Sequence, residues 1–229
     1  MKNKTLLLCT ACISLSTGAL TAQTQPAANN YAGTHIALSG AYGLSNPNAS
    51  FSTFLPGTGP DFRSASEFAA SITYYWNEEN GFNLSVGSAS RDIAFKDSTA
   101  SGLFPMQFLD LRAGYRLQPN ALFIEFGILG AVKTKDVPIT IATSSVSASG
   151  GIVGVNQKSY AAIYAMLGIY LPVSNNIFLQ AAGKVDYGVT PAVDGNWPYY
   201  TTSGAQYKTE KVTLVPFNMG VSLGIGFRF

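Results

Sequence analysis

One histidine and a scatter of opposite charges are the side chains of this sequence whose types invite chemistry. His35 is the single imidazole, so a Ser–His or His–Asp mechanism would have to be built on it, with the nucleophile in hydrogen-bond reach. It opens an alternating segment, on the face that carries small and polar residues, and reads there as a packed polar side chain. Glu78-Glu79 offers paired carboxylates, but Asn77, Asn80 and Gly81 surround it and the stretch reads as a solvated bend. No Cys/His cluster has metal-ligand spacing and no glycine-rich phosphate loop follows a strand pattern, so no catalytic residue, metal or cofactor is expected. The remaining charges are more telling. Glu67, Asp110, Arg112, Arg116, Glu125, Lys184, Asp186 and Arg228 each fall on the face of an alternating segment opposite an apolar row. Charges so placed either neutralise one another in a filled interior or line a narrow path for water, ions or a small solute.

The elements that must position them are strands. In the last segment Met219, Val221, Leu223, Ile225, Phe227 and Phe229 alternate with Gly220, Ser222, Gly224, Gly226 and Arg228, which puts every large apolar side chain on one face. The same period predicts strands near 34–44, 67–77, 82–90, 107–118, 121–132, 159–171, 177–188 and 212–229. Most are 9–13 residues long, close to the ~9–11 a tilted strand needs to cross a bilayer. The apolar rows, such as Phe68-Ile72-Tyr74 and Leu122-Ile124-Phe126-Ile128, contain no charge. The tight turns at 78–81, 119–120 and 172–176 contrast with the long connections 45–66, 91–106, 133–158 and 189–211. Glu125 lies across the 119–120 turn from Arg112 and Arg116, within diagonal reach. Tyr160, Tyr164 and Tyr170 share the face opposite the apolar row of their strand.

Composition agrees. Charged residues make up 11% of the chain, against roughly 25% in a typical soluble domain, and the net charge of +2 argues against a nucleic-acid partner. Yet beyond residue 23 no run is long and apolar enough for a spanning helix. Met1-Lys-Asn-Lys4, the apolar stretch to Ile13 and the small residues up to Ala22 read as a secretory signal peptide over residues 1–22. Cys9 and Cys12 lie inside it, so the mature chain is expected to hold no disulfide.

An all-β chain whose final alternating segment stops on Phe229 resembles the bacterial outer-membrane β-barrels, and the small eight-stranded OmpA-transmembrane and OmpX type in particular. That resemblance implies an all-β fold, an eight-stranded antiparallel transmembrane up-and-down β-barrel over residues 34–229, with a short periplasmic segment over residues 23–33. It also implies a cell outer-membrane location reached by secretion, with outer-membrane lipid against the wall and the short turns on the periplasmic side. Leu223, Ile225, Phe227 and Phe229 would be the barrel-closing signal read by the barrel assembly machinery. The long connections would face outward. Within them Val137–Ile141 and Gly151–Val155 suggest a protruding hairpin, and Trp197, Tyr199, Tyr200 and Tyr207 suggest a loop that anchors an extracellular protein or glycan. The expected function is a non-enzymatic structural or surface-binding barrel. The alternatives are a narrow channel and a subunit of an envelope secretion or assembly complex.

Overall fold

The computed structural model describes residues 32–51, 59–96, 100–135, 140–143, 153–200 and 207–229. The expected signal peptide and the segment that follows it lie outside these residues. Among the described residues the chain forms β1 (Gly33–Phe51), β2 (Gly59–Asp61), β3 (Arg63–Tyr75), β4 (Asn80–Lys96), β5 (Ala100–Leu117), β6 (Leu122–Lys135), β7 (Thr140–Thr143), β8 (Val153–Gln157), β9 (Tyr160–Pro172), β10 (Ile177–Gly188), β11 (Val193–Tyr200) and β12 (Tyr207–Arg228). The eight long strands pair antiparallel with their neighbours in the order β1-β3-β4-β5-β6-β9-β10-β12. The ladder from His35↔Arg228 to Phe51↔Val212 then joins β12 back to β1. This is the closed eight-stranded barrel that the alternation predicts.

The strands begin and end close to their expected positions at the rim of tight turns. There Asn77 Oδ1 accepts the backbone N–H groups of Glu79 (3.0 Å) and Asn80 (2.7 Å), which fixes the β3–β4 bend. At the opposite rim they run well into the stretches expected to be loops. β1 reaches Phe51, β4 reaches Lys96, and β5 and β12 start at Ala100 and Tyr207. The short strands extend this ribbon: β2 adds to β4, β7 to β5, β11 to β12 and β8 to β11. The expected hairpin between 137–141 and 151–155 is therefore corrected. Where these stretches are described, as β7 and β8, each continues a different neighbouring ladder in place of pairing with the other.

Lipid chemistry explains the outer face. Leu223, Ile128, Phe68 and Leu167 are each more than 60% exposed, and the apolar rows around them project outward from the eight strands. A soluble surface would not carry so broad an apolar band, whereas hydrocarbon stabilises it. At the tight-turn rim Trp76, Tyr115 and Phe126 form an aromatic patch, with ring centroids 5.9 and 5.5 Å apart and the Tyr115 hydroxyl donating to Asn80 Oδ1. Leu223 lies midway along the outward row of β12. Leu223→Arg is expected to cost about 2–4 kcal/mol, as for a cation near the bilayer midplane. Urea titration of the refolded barrel in phosphatidylcholine vesicles would measure it.

Along β5 the two faces exchange character. Leu109 and Leu111 point outward opposite the buried Asp110 and Arg112, but further up Phe104, Met106 and Phe108 are buried inside while Gln107 is exposed. Where the outer face leaves lipid and meets water, the inside becomes an ordinary apolar core. Ile93, Phe104, Met106, Phe108, Leu129, Tyr160, Val193 and Leu214 make up most of that core.

Candidate functional site

The inward charges lie between two apolar layers. Near the tight-turn rim Tyr75, Phe123, Tyr170 and Phe178 pack together. The Tyr170 and Phe178 rings stack at 4.5 Å, and the His35 ring sits 4.7 Å from Tyr75 and 5.5 Å from Phe178. The Tyr75 hydroxyl donates to Gln118 Oε1 at 2.5 Å.

Above this layer Glu125, fully buried, accepts three hydrogen bonds, from Arg116 Nε at 2.7 Å, Asn83 Nδ2 at 2.8 Å and the Tyr164 hydroxyl at 2.8 Å. Arg116 Nη2 adds an ion-pair contact at 2.6 Å. The Arg116 guanidinium also stands 4.2 Å over the Phe123 ring. Register accounts for the pair, since Arg116 and Glu125 are direct partners across β5–β6.

Next comes a cluster of six charges. Arg112 meets Glu67 with both terminal nitrogens, Nη1 to Oε1 and Nη2 to Oε2 at 2.8 Å, and its Nη2 also reaches Asp110 Oδ2 at 3.2 Å. Arg91 forks onto Asp110, Nη1 to Oδ1 at 2.9 Å and Nη2 to Oδ2. Lys184 Nζ donates to Glu67 Oε2 at 2.5 Å and stands 3.8 Å from Asp186. Three cations thus face three carboxylates, and the cluster is formally neutral. Removing several charges from water is tolerable only when each finds such partners. Arg91 lies 5.4 Å from the Phe108 ring centroid, at the floor of the upper apolar core. Met166 packs against the apolar clusters on both sides of the charges.

Seven of the eight expected lumen charges fall into these two groups, Glu125 with Arg116 alone and Glu67, Asp110, Arg112, Lys184 and Asp186 together. Arg228 does not follow them. Its Nε and Nη2 donate to the Asn175 carbonyl at 3.0 and 2.6 Å, in the β9–β10 turn, because a long side chain on the last lumen position of β12 reaches the rim. Arg91 is the member the sequence reading missed. It falls in the stretch 91–106 expected to be a long connection, although the inward series Asn83, Ser85, Gly87, Ala89 leads straight to it. Trp197, Tyr199 and Tyr200 lie on strand β11 rather than in an irregular loop, and Tyr207 opens β12. The register pairs Trp197 with Glu210 and Tyr200 with Tyr207. Leu223, Ile225 and Phe227 project outward from β12 between β1 and β10, and the Phe229 backbone N–H donates to Thr34 O at 3.0 Å.

A closed wall, a lipid-facing apolar band and a filled interior define a membrane-spanning antiparallel barrel. The fold is that of the small eight-stranded outer-membrane barrels. Among solved structures the chain is similar to the outer membrane protein OprG from Pseudomonas aeruginosa, with a TM-score of 0.53 and 14% identity over 88% of this chain and 98% of that one. It also matches Neisserial surface protein A, with a TM-score of 0.44 and 13% identity over 86% and 98% of the two chains. At 14% identity the likeness to OprG is one of fold. No protein-family model matches the chain, and no curated protein matches its sequence.

Proposed function

We propose that the chain is a non-enzymatic integral outer-membrane barrel, a closed scaffold that holds the extended strands of its long-connection rim at the cell surface. The observation that carries this reading is the filled bore. An aromatic layer, the Glu125–Arg116 network, the six-charge cluster and the upper apolar core occupy the interior in succession. Side chains packed in that way favour a scaffold over a conduit, since eight strands leave an interior just wide enough for side chains to fill. The aromatic rings packed around His35 favour a structural role for the single imidazole. On this reading the partners are outer-membrane lipid along the apolar band, the barrel assembly machinery at Leu223, Ile225, Phe227 and Phe229, and an extracellular protein or glycan at the ribbon that carries Trp197, Tyr199, Tyr200 and Tyr207.

Planar-bilayer recording of the refolded barrel tests it. The expected trace is silent. Steady openings whose conductance changes in Arg112→Ala or Glu125→Gln would make the lumen a channel and overturn the scaffold.

A further inference from the structure

The inward side of β1, β12 and β10 carries a row of polar groups that ends on Asp186, at the edge of the ion-pair network. In register, Ser45 of β1 faces Asn218 of β12, and Asn218 faces Asp186 of β10. All three are buried, at 0%, 3% and 1% exposure. Among the described residues Ser45 Oγ, Asn218 Oδ1 and both carboxylate oxygens of Asp186 have no hydrogen-bond partner. The nearest cations stand off, with Arg112 Nη2 at 3.5 Å, Lys184 Nζ at 3.8 Å and Arg91 Nη2 at 4.0 Å from Asp186 Oδ2. A buried carboxylate left without donors costs free energy that a native fold rarely tolerates. Beside the row is a recess of about 20 Å³ on the inner side of the wall, lined by Asp186, Asn218, Lys184 and Glu67 together with Gly43 and Gly220.

We propose that this recess is a hydration site, in which one or two bound waters donate hydrogen bonds to Asp186 and Asn218 Oδ1. The acceptors call for a donor, which excludes an anion. A metal ion would add positive charge where three cationic groups already lie within 4.0 Å of Asp186, so a neutral donor fits best. The volume suffices, since a water needs roughly 10–15 Å³ measured in this way and two to four polar partners. With the aromatic layer toward one rim and the apolar core toward the other, such a water exchanges slowly.

Water itself is the probe. In nuclear Overhauser spectra of the deuterated full chain, refolded in detergent micelles, cross-peaks with the sign of a long-lived water are expected at the Gly43 and Gly220 amides and the Asn218 side-chain amide. Asn218→Leu, which fills the space with an apolar group, is expected to abolish those at Gly43 and Gly220 while the folded gel mobility persists. Absence of the peaks from the unsubstituted barrel would overturn the site. It would mean that Lys184 closes onto Asp186 directly, or that the Asn218 amide is turned to donate to it. Persistence of the backbone peaks in folded Asn218→Leu would overturn it equally. Conductance is read separately. A silent barrel without these peaks sinks the hydration site alone, whereas a conducting barrel with them sinks the scaffold alone.

Discussion

Glu125→Leu is expected to destabilise the barrel by about 3–5 kcal/mol, the range for removing one partner of a buried ion pair. The carboxylate is fully buried and takes hydrogen bonds from Arg116, Asn83 and Tyr164. Without it the Arg116 guanidinium stays enclosed, with the Phe123 ring at 4.2 Å, Gln180 Oε1 at 3.4 Å and the neutral Tyr75 hydroxyl beside it. None supplies a compensating charge. The double variant Glu125→Leu/Arg116→Leu should recover much of the loss, because exchanging a whole buried pair for apolar groups is often near neutral. Asn83 and Tyr164 would keep a deficit of roughly 1–3 kcal/mol, the cost of buried polar groups left unsatisfied. Urea unfolding in lipid vesicles, followed by tryptophan fluorescence and by the folded band on unheated gels, gives all three values and hence the coupling. A single-variant loss below about 1 kcal/mol with no coupling, the magnitude of solvent-exposed pairs, would mean that bulk water reaches this level. The scaffold reading would fall with it.

The parts of this architecture that were legible in the sequence are those where one face of a strand meets hydrocarbon. Along β12 the row from Met219 to Phe229 tolerates no charge, so period two gave both the strand and its orientation. Lumen charges were legible for the complementary reason, since a charge on a membrane-crossing strand has only the interior to occupy. Local register across a tight turn brought Glu125 near both Arg112 and Arg116, but only Arg116, its direct cross-strand partner, meets it, while Arg112 turns to Glu67 and Asp110. The Arg112–Glu67 pair was not legible, because it reaches past β4 from β5 to β3, and strand tilt and stagger decide which side chains meet there. Phe104, Met106 and Phe108 broke the pattern. An apolar inward row contradicts a polar interior, so the alternation marks β5 only from 107 onward, and Arg91 on its neighbour β4 falls outside the pattern with it. Arg228 marks a different limit, since alternation assigns a face but not where a flexible guanidinium comes to rest. In β7 and β8 the sequence carried strand propensity but no partner, and the partner was chosen by ladders already rising from β5 and β12.

Gly127→Val is expected to leave little or no folded barrel, and Gly127→Ala to destabilise it at or above the upper end of the roughly 1–3 kcal/mol typical of overpacking. Gly127 faces Gly114 across β5–β6 on the lumen side. A methyl group at Gly127 would land on the Ala113 carbonyl oxygen and against Gly114 Cα, both backbone atoms, so no side-chain rotation relieves the clash. The same arrangement recurs at the seam that closes the barrel. Gly43 faces Gly220 across β1–β12, and a methyl at Gly43 would meet the Met219 carbonyl. The two seams stand four strands apart in the circuit of eight, so the wall folds inward at opposite points where only glycine lets the backbones approach. Gly114→Ala should act differently, because its methyl would strike the Tyr164 hydroxyl that donates to Glu125. Its loss should therefore be non-additive with Glu125→Leu. Gly130→Ala is the control, on the same strand with its nearest contact at 4.0 Å, and should refold with a midpoint close to that of the parent. Refolding yield in detergent, scored by the folded band on unheated gels, separates these outcomes. A Gly127→Ala barrel that matches Gly130→Ala would show that the β5–β6 seam can open by the width of a methyl group, and that the glycine pairs do not set the bore.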